Sequence, residues 1–303
     1  MDAENVKGHS EEFFTEYRDH WWNQDFLELM ARRWGLQQYT SLLDVGCGQF
    51  HWSRLLAPFM DAPSVVGLDN DAKWSTTDIG TYKKFFSNAA RLELIAGNAE
   101  DLPFPDNSFD VVTCQTLLIH LKNPAKALSE MRRVVKPGGI VICAEPNNMA
   151  PALSIDCTDE IHDIENTLAN VKESLYYQYG KFLSGHGYNS IGDITALLLQ
   201  QTGFAQIQTY FSDKCVSLIP PYSSQQELDT IKTWRTFLQT EPLTDEYLNY
   251  LKQAETKLGE IQLDVAERAE TGRLKTLAKI DDGSWYNPGL AIMYLVSGRK
   301  LPA

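Results

Sequence analysis

What the chain lacks narrows its class first. No stretch approaches the roughly 18 consecutive apolar residues of a membrane-spanning helix, so no membrane is expected as a partner. Met1 to Glu12 is acidic and polar, without the basic-then-apolar order of a secretory signal, and a cytoplasmic protein is expected. Cysteine is scarce: Cys47, Cys114, Cys143, Cys157 and Cys215 form an odd set with no Cys-x-x-Cys pair. That set fits free thiols in a reducing compartment better than a disulfide framework, and no metal site is expected. Basic residues number 27 against 40 acidic ones, a net charge of −13, and the densest basic stretches are pairs such as Arg32-Arg33 and Arg132-Arg133. A field of that sign repels phosphate backbones, so nucleic acid is not an expected partner. The charge suits a soluble monomer and a homodimer equally. With 43% hydrophobic and 22% charged residues, no internal repeat and no low-complexity tract, the 303-residue chain is neither disordered nor fibrous.

What is present has a clear rhythm. Short apolar runs recur at Ser41–Val45, Ser64–Leu68, Leu92–Ala96, Phe109–Cys114 and Ile140–Ala144, each bounded by Gly, Pro, Asp or Asn. None alternates strictly with polar residues, the pattern of strands buried on both faces. Helices are expected between them: one over Trp52 to Phe59, and one that starts at Asn123-Pro124 and stops before Pro137-Gly138-Gly139. Strand–helix–strand repetition predicts an α/β fold, a parallel sheet with helices on both faces. Ahead of it, Ser10 to Trp34 is unusually aromatic and predicts one or two amphipathic helices, either packed on the sheet or forming a lid over a ligand. Beyond it, apolar residues from Ile161 to Phe182 at three- and four-residue steps predict a long helix entered at Thr158 and ended near Gly185. A helix at Ile191–Gln201, a strand at Phe204–Tyr210 and a final strand at Leu290–Val296 are also expected. Ser224-x-x-Glu227 reads as a capping box opening a polar helical stretch that runs, with breaks, to about Lys279.

The chemistry is written at Leu42-Leu43-Asp44-Val45-Gly46-Cys47-Gly48, where a buried strand runs into Gly-x-Gly and a helix follows. Glycine admits backbone conformations and close ligand approach that a side chain would block, and a helix N-terminus favours an anionic partner. The topology places a nucleotide-like ligand at the carboxyl ends of the strands. Two companions fall in register. Asp69, followed by Asn70, ends the next strand, where a carboxylate can accept both hydroxyls of a ribose. Asn98 and Ala99, after the third, can meet an adenine edge. A dinucleotide dehydrogenase is a poor match: His51 stands where its fingerprint needs the third glycine, and Asp44 suits an ammonium better than a pyrophosphate.

With Val66-Gly67-Leu68-Asp69, Gly97-Asn98-Ala99-Glu100-Asp101-Leu102-Pro103-Phe104, Asn107-Ser108-Phe109-Asp110-Val111-Val112 and Val135-Lys136-Pro137-Gly138-Gly139, residues 40–146 resemble the class I S-adenosylmethionine-dependent methyltransferases. The resemblance implies a Rossmann-like, seven-stranded, mostly parallel sheet whose last strand inserts antiparallel. It implies S-adenosyl-L-methionine as cofactor and S-adenosyl-L-homocysteine as product. Gly46 and Gly48 would pass under the methionine part, Asp44 would hold its amino group, and Gln115 would meet the methionine end. Asp69 would bind the ribose, and Asn98 with the Ala99 backbone would face adenine. Tyr17, His20 and Trp21 could close over the cofactor. One departure stands out: many relatives carry a third loop glycine where this chain has Phe50.

The resemblance also implies an organisation: a helical lid over 1–35, a cofactor-binding core over 36–149, a helical cap insertion over 150–189, core again over 190–215, a second helical insertion over 216–283 and a last core strand over 284–303. Methyl transfer from a sulfonium mainly requires alignment, and a general base only if the acceptor arrives protonated. His120 is a candidate base or a pocket-shaping residue. Trp21, Glu145, Asn147 and His186 are candidate contacts to the acceptor, with core packing, turn capping and surface placement as the alternatives; Asn148 shares the strand end. The acidic surface and helical additions favour a small-molecule acceptor. An arsenite acceptor fits the cysteine placement poorly. The rivals are a non-catalytic cofactor- or partner-binding protein and an aminopropyl transferase on the same fold.

Overall fold

The computed structural model describes residue 18 and residues 21–75, 77–154, 163–239, 243–289 and 292–302. Tyr17, His20 and Cys157 lie outside them. Seven strands form one sheet: β1 Ser41–Val45, β2 Ser64–Asp69, β3 Arg91–Ala96, β4 Phe109–Gln115, β5 Val135–Asn147, β6 Ala205–Phe211 and β7 Ile292–Arg299, in the order β3-β2-β1-β4-β5-β7-β6. The pairs from β3 to β5 are parallel. β7 is antiparallel to both neighbours, as expected of the last strand. The strand order reverses between β1 and β4, and a ligand crevice forms at the carboxyl ends of strands on either side of such a point.

The helices are α1 Gln24–Trp34, α2 Ser53–Leu56, α3 Ala72–Ser75, α4 Gly80–Lys83, α5 Pro124–Val134, α6 Ile164–Leu183, α7 Gly192–Gln201, α8 Gln225–Gln239, α9 Asp245–Leu258 and α10 Val265–Asp281. Central strands are apolar on both sides because each feeds two layers. Leu42, Val111 and Ile142 pack with Met30 and Trp34 of α1, whereas Leu43, Val112 and Cys143 pack with Leu128 of α5 and Leu199 of α7. Asn123 caps α5 by accepting from the Lys126 N–H. Ser224 and Glu227 close the capping box of α8 reciprocally, Ser224 Oγ accepting from Glu227 N–H and Glu227 Oε2 from Ser224 N–H.

Two expectations shift. The helix over Trp52–Phe59 divides into α2 and a 3₁₀ turn at Ala57–Phe59, since Pro58 has no N–H to continue the ladder. β5 starts at Val135 instead of Ile140: the chain turns extended as soon as α5 ends, and a register shift against β4 absorbs the Pro-Gly-Gly. The described part of the long cap helix begins at Ile164 with Asp163 as its cap.

Candidate active site

The loop after β1 is shaped by backbone. Gly46 has φ 70° and Gly48 φ 46°, left-handed values that glycine adopts freely. The Gly46 and Cys47 N–H groups both donate to Leu68 O, at 2.7 and 3.1 Å, bending the loop onto the end of β2. There the Gly48 N–H donates to Asp69 Oδ2 at 2.9 Å, and the Asp71 N–H donates to Oδ1 at 2.9 Å. Loop and acid therefore orient each other. Phe50, at the third-glycine position, also has a left-handed φ of 61°. Its ring is fully buried against Tyr82 and Phe86, in space left by Gly67, where a Cβ would lie 2.3 Å from the ring. The loop keeps the geometry of a glycine there while anchoring itself with an aromatic side chain.

Asp44, Gly46 and Gln115 line a single cleft together with Arg18, His51 and Trp52. Asp44 is 1% exposed and Gln115 6% exposed, and Gln115 Nε2 is buried without a hydrogen-bond partner among the described residues. Arg18 is the residue that sequence reasoning missed. It is 5% exposed, its Nη1 donates to Thr116 Oγ1 at 3.3 Å, and its guanidinium lies 5.5 Å from the Trp21 ring centroid. No local signal marks it, because only the tertiary contact with Thr116 brings it to the cleft. Thr116 itself has φ 50°, a strained value for a β-branched residue, held by its N–H bond to Ala144 O at 2.9 Å. Trp52 Nε1 donates to Thr113 Oγ1 at 2.6 Å, and Trp22 packs on Trp52, so the aromatic segment before α1 borders the cleft. Trp21 is half-buried against that cluster, with its carbonyl accepting from Ser212 Oγ.

Asn98 follows β3, its Oδ1 accepting from the Glu100 N–H at 2.9 Å, and Ala99 beside it is buried. Asn70 is exposed on the turn after β2. His120 ends a short turn, Leu118–His120, and is half-buried. Glu145 is fully buried beneath that turn: Oε1 accepts from the Leu117 and Leu118 N–H groups at 3.0 and 2.9 Å, and Oε2 has no hydrogen-bond partner among the described residues. Burial pushes its carboxyl up to about 7, against the opposing backbone hydrogen bonds. Asn147 donates to Asp193 on α7 and accepts from the Met149 and Ala150 N–H groups. His186 is exposed, its Nδ1 2.6 Å from the Tyr250 hydroxyl on α9. The structure thus gathers Asp44, Gly46 and Gln115 around one cleft, joins Gly48 to Asp69, and ties Asn147 and His186 to other helices.

Among the described residues no group of three or more His, Cys, Asp or Glu is placed to hold a metal ion, and no helix is long and apolar enough to cross a membrane. Cys47, Cys114 and Cys143 are buried and Cys215 is exposed, and none of the four is in a disulfide among the described residues.

Comparison with known proteins converges on this core. Residues 43–143 match the family model of a methyltransferase domain. A demethylmenaquinone methyltransferase of Listeria monocytogenes is 38% identical over 130 residues, which is 42% of this chain and 52% of that protein. One from Geobacillus stearothermophilus is 36% identical over 146 residues, 47% of this chain and 60% of the relative. The chain therefore spans about half the length of the curated relatives it matches. Among solved structures, a Galdieria sulphuraria protein described as a sarcosine dimethylglycine methyltransferase superposes with a TM-score of 0.50 at 15% identity, covering 92% of this chain and 85% of that one, a likeness of fold. Residues 43–143, with the glycine loop, Asp69 and the β4 end in register, form a methyltransferase domain of the class I S-adenosylmethionine-dependent family.

Proposed function

We propose that the chain binds S-adenosylmethionine across the cleft and transfers its methyl group to a small-molecule acceptor. One observation carries the reading: a buried arginine and a buried aspartate, Arg18 and Asp44, line the same cleft beside the glycine loop. Opposite charges at one end of a nucleoside site are the donor set for an amino acid, the guanidinium for its carboxylate and Asp44 for its ammonium. Gln115 Nε2, buried and without a hydrogen-bond partner among the described residues, adds a third contact at that end. Asp69 is oriented for ribose hydroxyls, and Asn98 with the Ala99 backbone for adenine.

When bound, the cofactor supplies a methyl carbon activated on a sulfonium. The chain's own residues orient it and exclude water. Trp52 borders the cleft with Trp22 packed against its ring, and the Thr116 N–H bond to Ala144 O holds Arg18's partner in place. His120 is the candidate to take a proton from an acceptor that arrives protonated. The small acceptor is supported by the names of the relatives, by the acidic surface and by the helices beyond the core. A non-catalytic binder differs in showing affinity without turnover against any acceptor. An aminopropyl transferase uses a decarboxylated carrier, and Arg18 would then face no carboxylate.

The test is calorimetric titration with S-adenosylmethionine, S-adenosylhomocysteine, decarboxylated S-adenosylmethionine and NAD. The expected result is micromolar binding of the first two, with Asp69→Ala weakening it about tenfold or more, roughly 1.4 kcal/mol. Arg18→Met removes the preference for the carboxylated carrier. Binding of NAD alone, or none at all, overturns the reading.

A further inference from the structure

The turn that follows β4 meets the cleft at several points. Gln115, just ahead of it, lines the cleft, and Thr116 Oγ1 accepts from Arg18 Nη1 at 3.3 Å. The Leu117 side chain sits over the glycine loop, so that a Cβ on Gly46 would lie 2.7 Å from Leu117 Cδ1. On the cap side, a Cβ on Gly187 would lie 2.1 Å from Ile119 O. Yet the turn's own sequence gives it no cap, since Leu117 stands at the N-cap of the 3₁₀ turn Leu118–His120 and caps nothing with its side chain. Its donors run to β5 instead. The Thr116 N–H donates to Ala144 O at 2.9 Å, and the Leu117 and Leu118 N–H groups donate to Glu145 Oε1 at 3.0 and 2.9 Å. Thr116 is left-handed at φ 50°, and Leu117 is right-handed at φ −96° and ψ −52°. Successive residues of opposite hand turn their N–H groups into one concavity, a nest that suits an anion. In this chain the anion is a side chain of the fold, and the strain at Thr116 has a purpose: the reversal of hand aims both donors at one oxygen.

We propose that Glu145 is a positioning residue: its carboxylate fills the nest of Leu117 and Leu118, and so fixes where Thr116 holds Arg18 and where Leu117 covers Gly46. The use made of that geometry rests on the function proposed above, whereas the nest itself requires no ligand. Glu145 is suited to the role because its base is rigid. It is fully buried, its backbone pairs with Tyr294 of β7, and a Cβ on Gly192 at the start of α7 would lie 2.6 Å from Glu145 O. Cys114 Sγ donates to the same Oε1 at 3.7 Å. Burial pushes the carboxyl up to about 7, and the Leu118, Leu117 and Ile119 N–H groups pull the other way, toward the charged form. A charged acceptor holds such donors about twice as strongly as a neutral one. In this role Glu145 meets neither cofactor nor acceptor. It acts on both through the turn, which ends at the candidate base His120, and the acceptor contact expected of Glu145 gives way to that role.

Hydrogen-exchange mass spectrometry of the ligand-free chain, at about pH 8 where Glu145 is mostly ionised, reads the turn directly. Peptides over 115–121 are compared with strand peptides over 109–114 and 140–144. In Glu145→Leu, which leaves the two N–H groups without their acceptor, exchange over 115–121 should rise about tenfold or more while the strand peptides stay protected. Glu145→Gln keeps an acceptor oxygen without the charge, and the rise should fall to about fivefold or less. Affinity for S-adenosylhomocysteine, measured by calorimetry, should drop in the same order. Turn exchange unchanged in both variants overturns the proposal, as does a Gln variant no better than Leu. Weaker binding over an unchanged turn would make Glu145 a ligand contact, and exchange rising equally in the strands would make it an ordinary core residue; either overturns the proposal. If Glu145→Leu does not fold, as judged by circular dichroism, the Gln variant decides alone, and no rise over 115–121 refutes the nest. Failure of wild type to bind S-adenosylhomocysteine sinks the functional reading and leaves the nest to the exchange data. Wild-type binding that neither variant weakens sinks only the role of Glu145.

Discussion

Phe50 sets two effects against each other, and their magnitudes decide the outcome. A left-handed φ costs an L-residue about 1–2 kcal/mol, which glycine at that position would not incur. Against that stands a fully buried ring packed 5.3 Å from Tyr82 and 5.6 Å from Phe86. Truncating a buried phenylalanine typically costs about 3–5 kcal/mol in lost transfer energy and cavity. Phe50→Gly is therefore expected to destabilise the chain by about 2–3 kcal/mol, a fall in Tm of about 5–10 °C. Gly67→Ala attacks the same contact from the other strand, since its methyl would sit 2.3 Å from the Phe50 ring. Overpacking of this kind costs about 1–3 kcal/mol. In the double variant the clash with the ring disappears and only the contact with Cys47 Sγ, 2.7 Å from the added methyl, remains, so the two losses should fall short of their sum by about 1 kcal/mol or more. Thermal melts and urea titrations of the four proteins measure this. A Phe50→Gly protein as stable as wild type, or strictly additive losses, would refute the claim that the ring anchors the loop.

Thr116→Gly relieves a strained φ of 50° but removes the acceptor of Arg18. Its stability should hold or rise by up to about 1 kcal/mol, while S-adenosylhomocysteine binds about tenfold more weakly; a fall in both would mean the strain is not local. Asp110 binds the Thr40 and Ser41 N–H groups, the Ser41 hydroxyl and Lys136. Although burial alone would raise its carboxyl, hydrogen bonds from Lys136, Ser41 and Thr40 outweigh that and hold it below the usual range. A depressed carboxyl stabilises the fold above its unfolded pKa of about 3.9, and that contribution is lost as pH falls through the lower folded value. Asp110→Asn should cost about 1–2 kcal/mol at neutral pH and flatten the acid limb of a urea-midpoint profile. Ser224→Ala, which opens the capping box of α8, should cost about 0.5–1 kcal/mol by urea denaturation, with cofactor affinity unchanged.

The fold was legible where physics is local. A strand buried on both faces must be an apolar run, and Ser41–Val45 was bounded correctly from that alone. Boundaries failed where a breaker was given one meaning and had another. Pro137-Gly138-Gly139 reads as a stop for α5, yet those residues lie within β5. At the site, the resemblance named Asp44, Gly46 and Gln115, and the structure brings the three to one cleft at the ends of β1 and β4. Arg18 was not legible, since an arginine in an aromatic stretch ahead of the sheet gives no hint that it reaches Thr116, 98 residues away.

The same distinction separates the two halves of the proposed reaction. The cofactor end is built from backbone at strand termini, where register converts sequence position into geometry. The acceptor end depends on how helices distant in sequence meet, as where Gly180 of α6 lies so close to α9 that a Cβ would be 1.7 Å from Tyr250 O. Polar residues past the strand ends therefore look alike in sequence and differ in the fold. Asn147 uses both its amide nitrogen and its oxygen within the chain, on Asp193 and on the Met149 and Ala150 N–H groups. His186 Nδ1 is engaged by Tyr250. Glu145 has an oxygen left among the described residues, but it is buried under the turn. A group can recognise a ligand only with hydrogen-bonding capacity the fold has not already used. By that criterion Gln115, whose buried Nε2 has no hydrogen-bond partner among the described residues, is better placed than Asn147 or His186 to meet whatever enters the cleft.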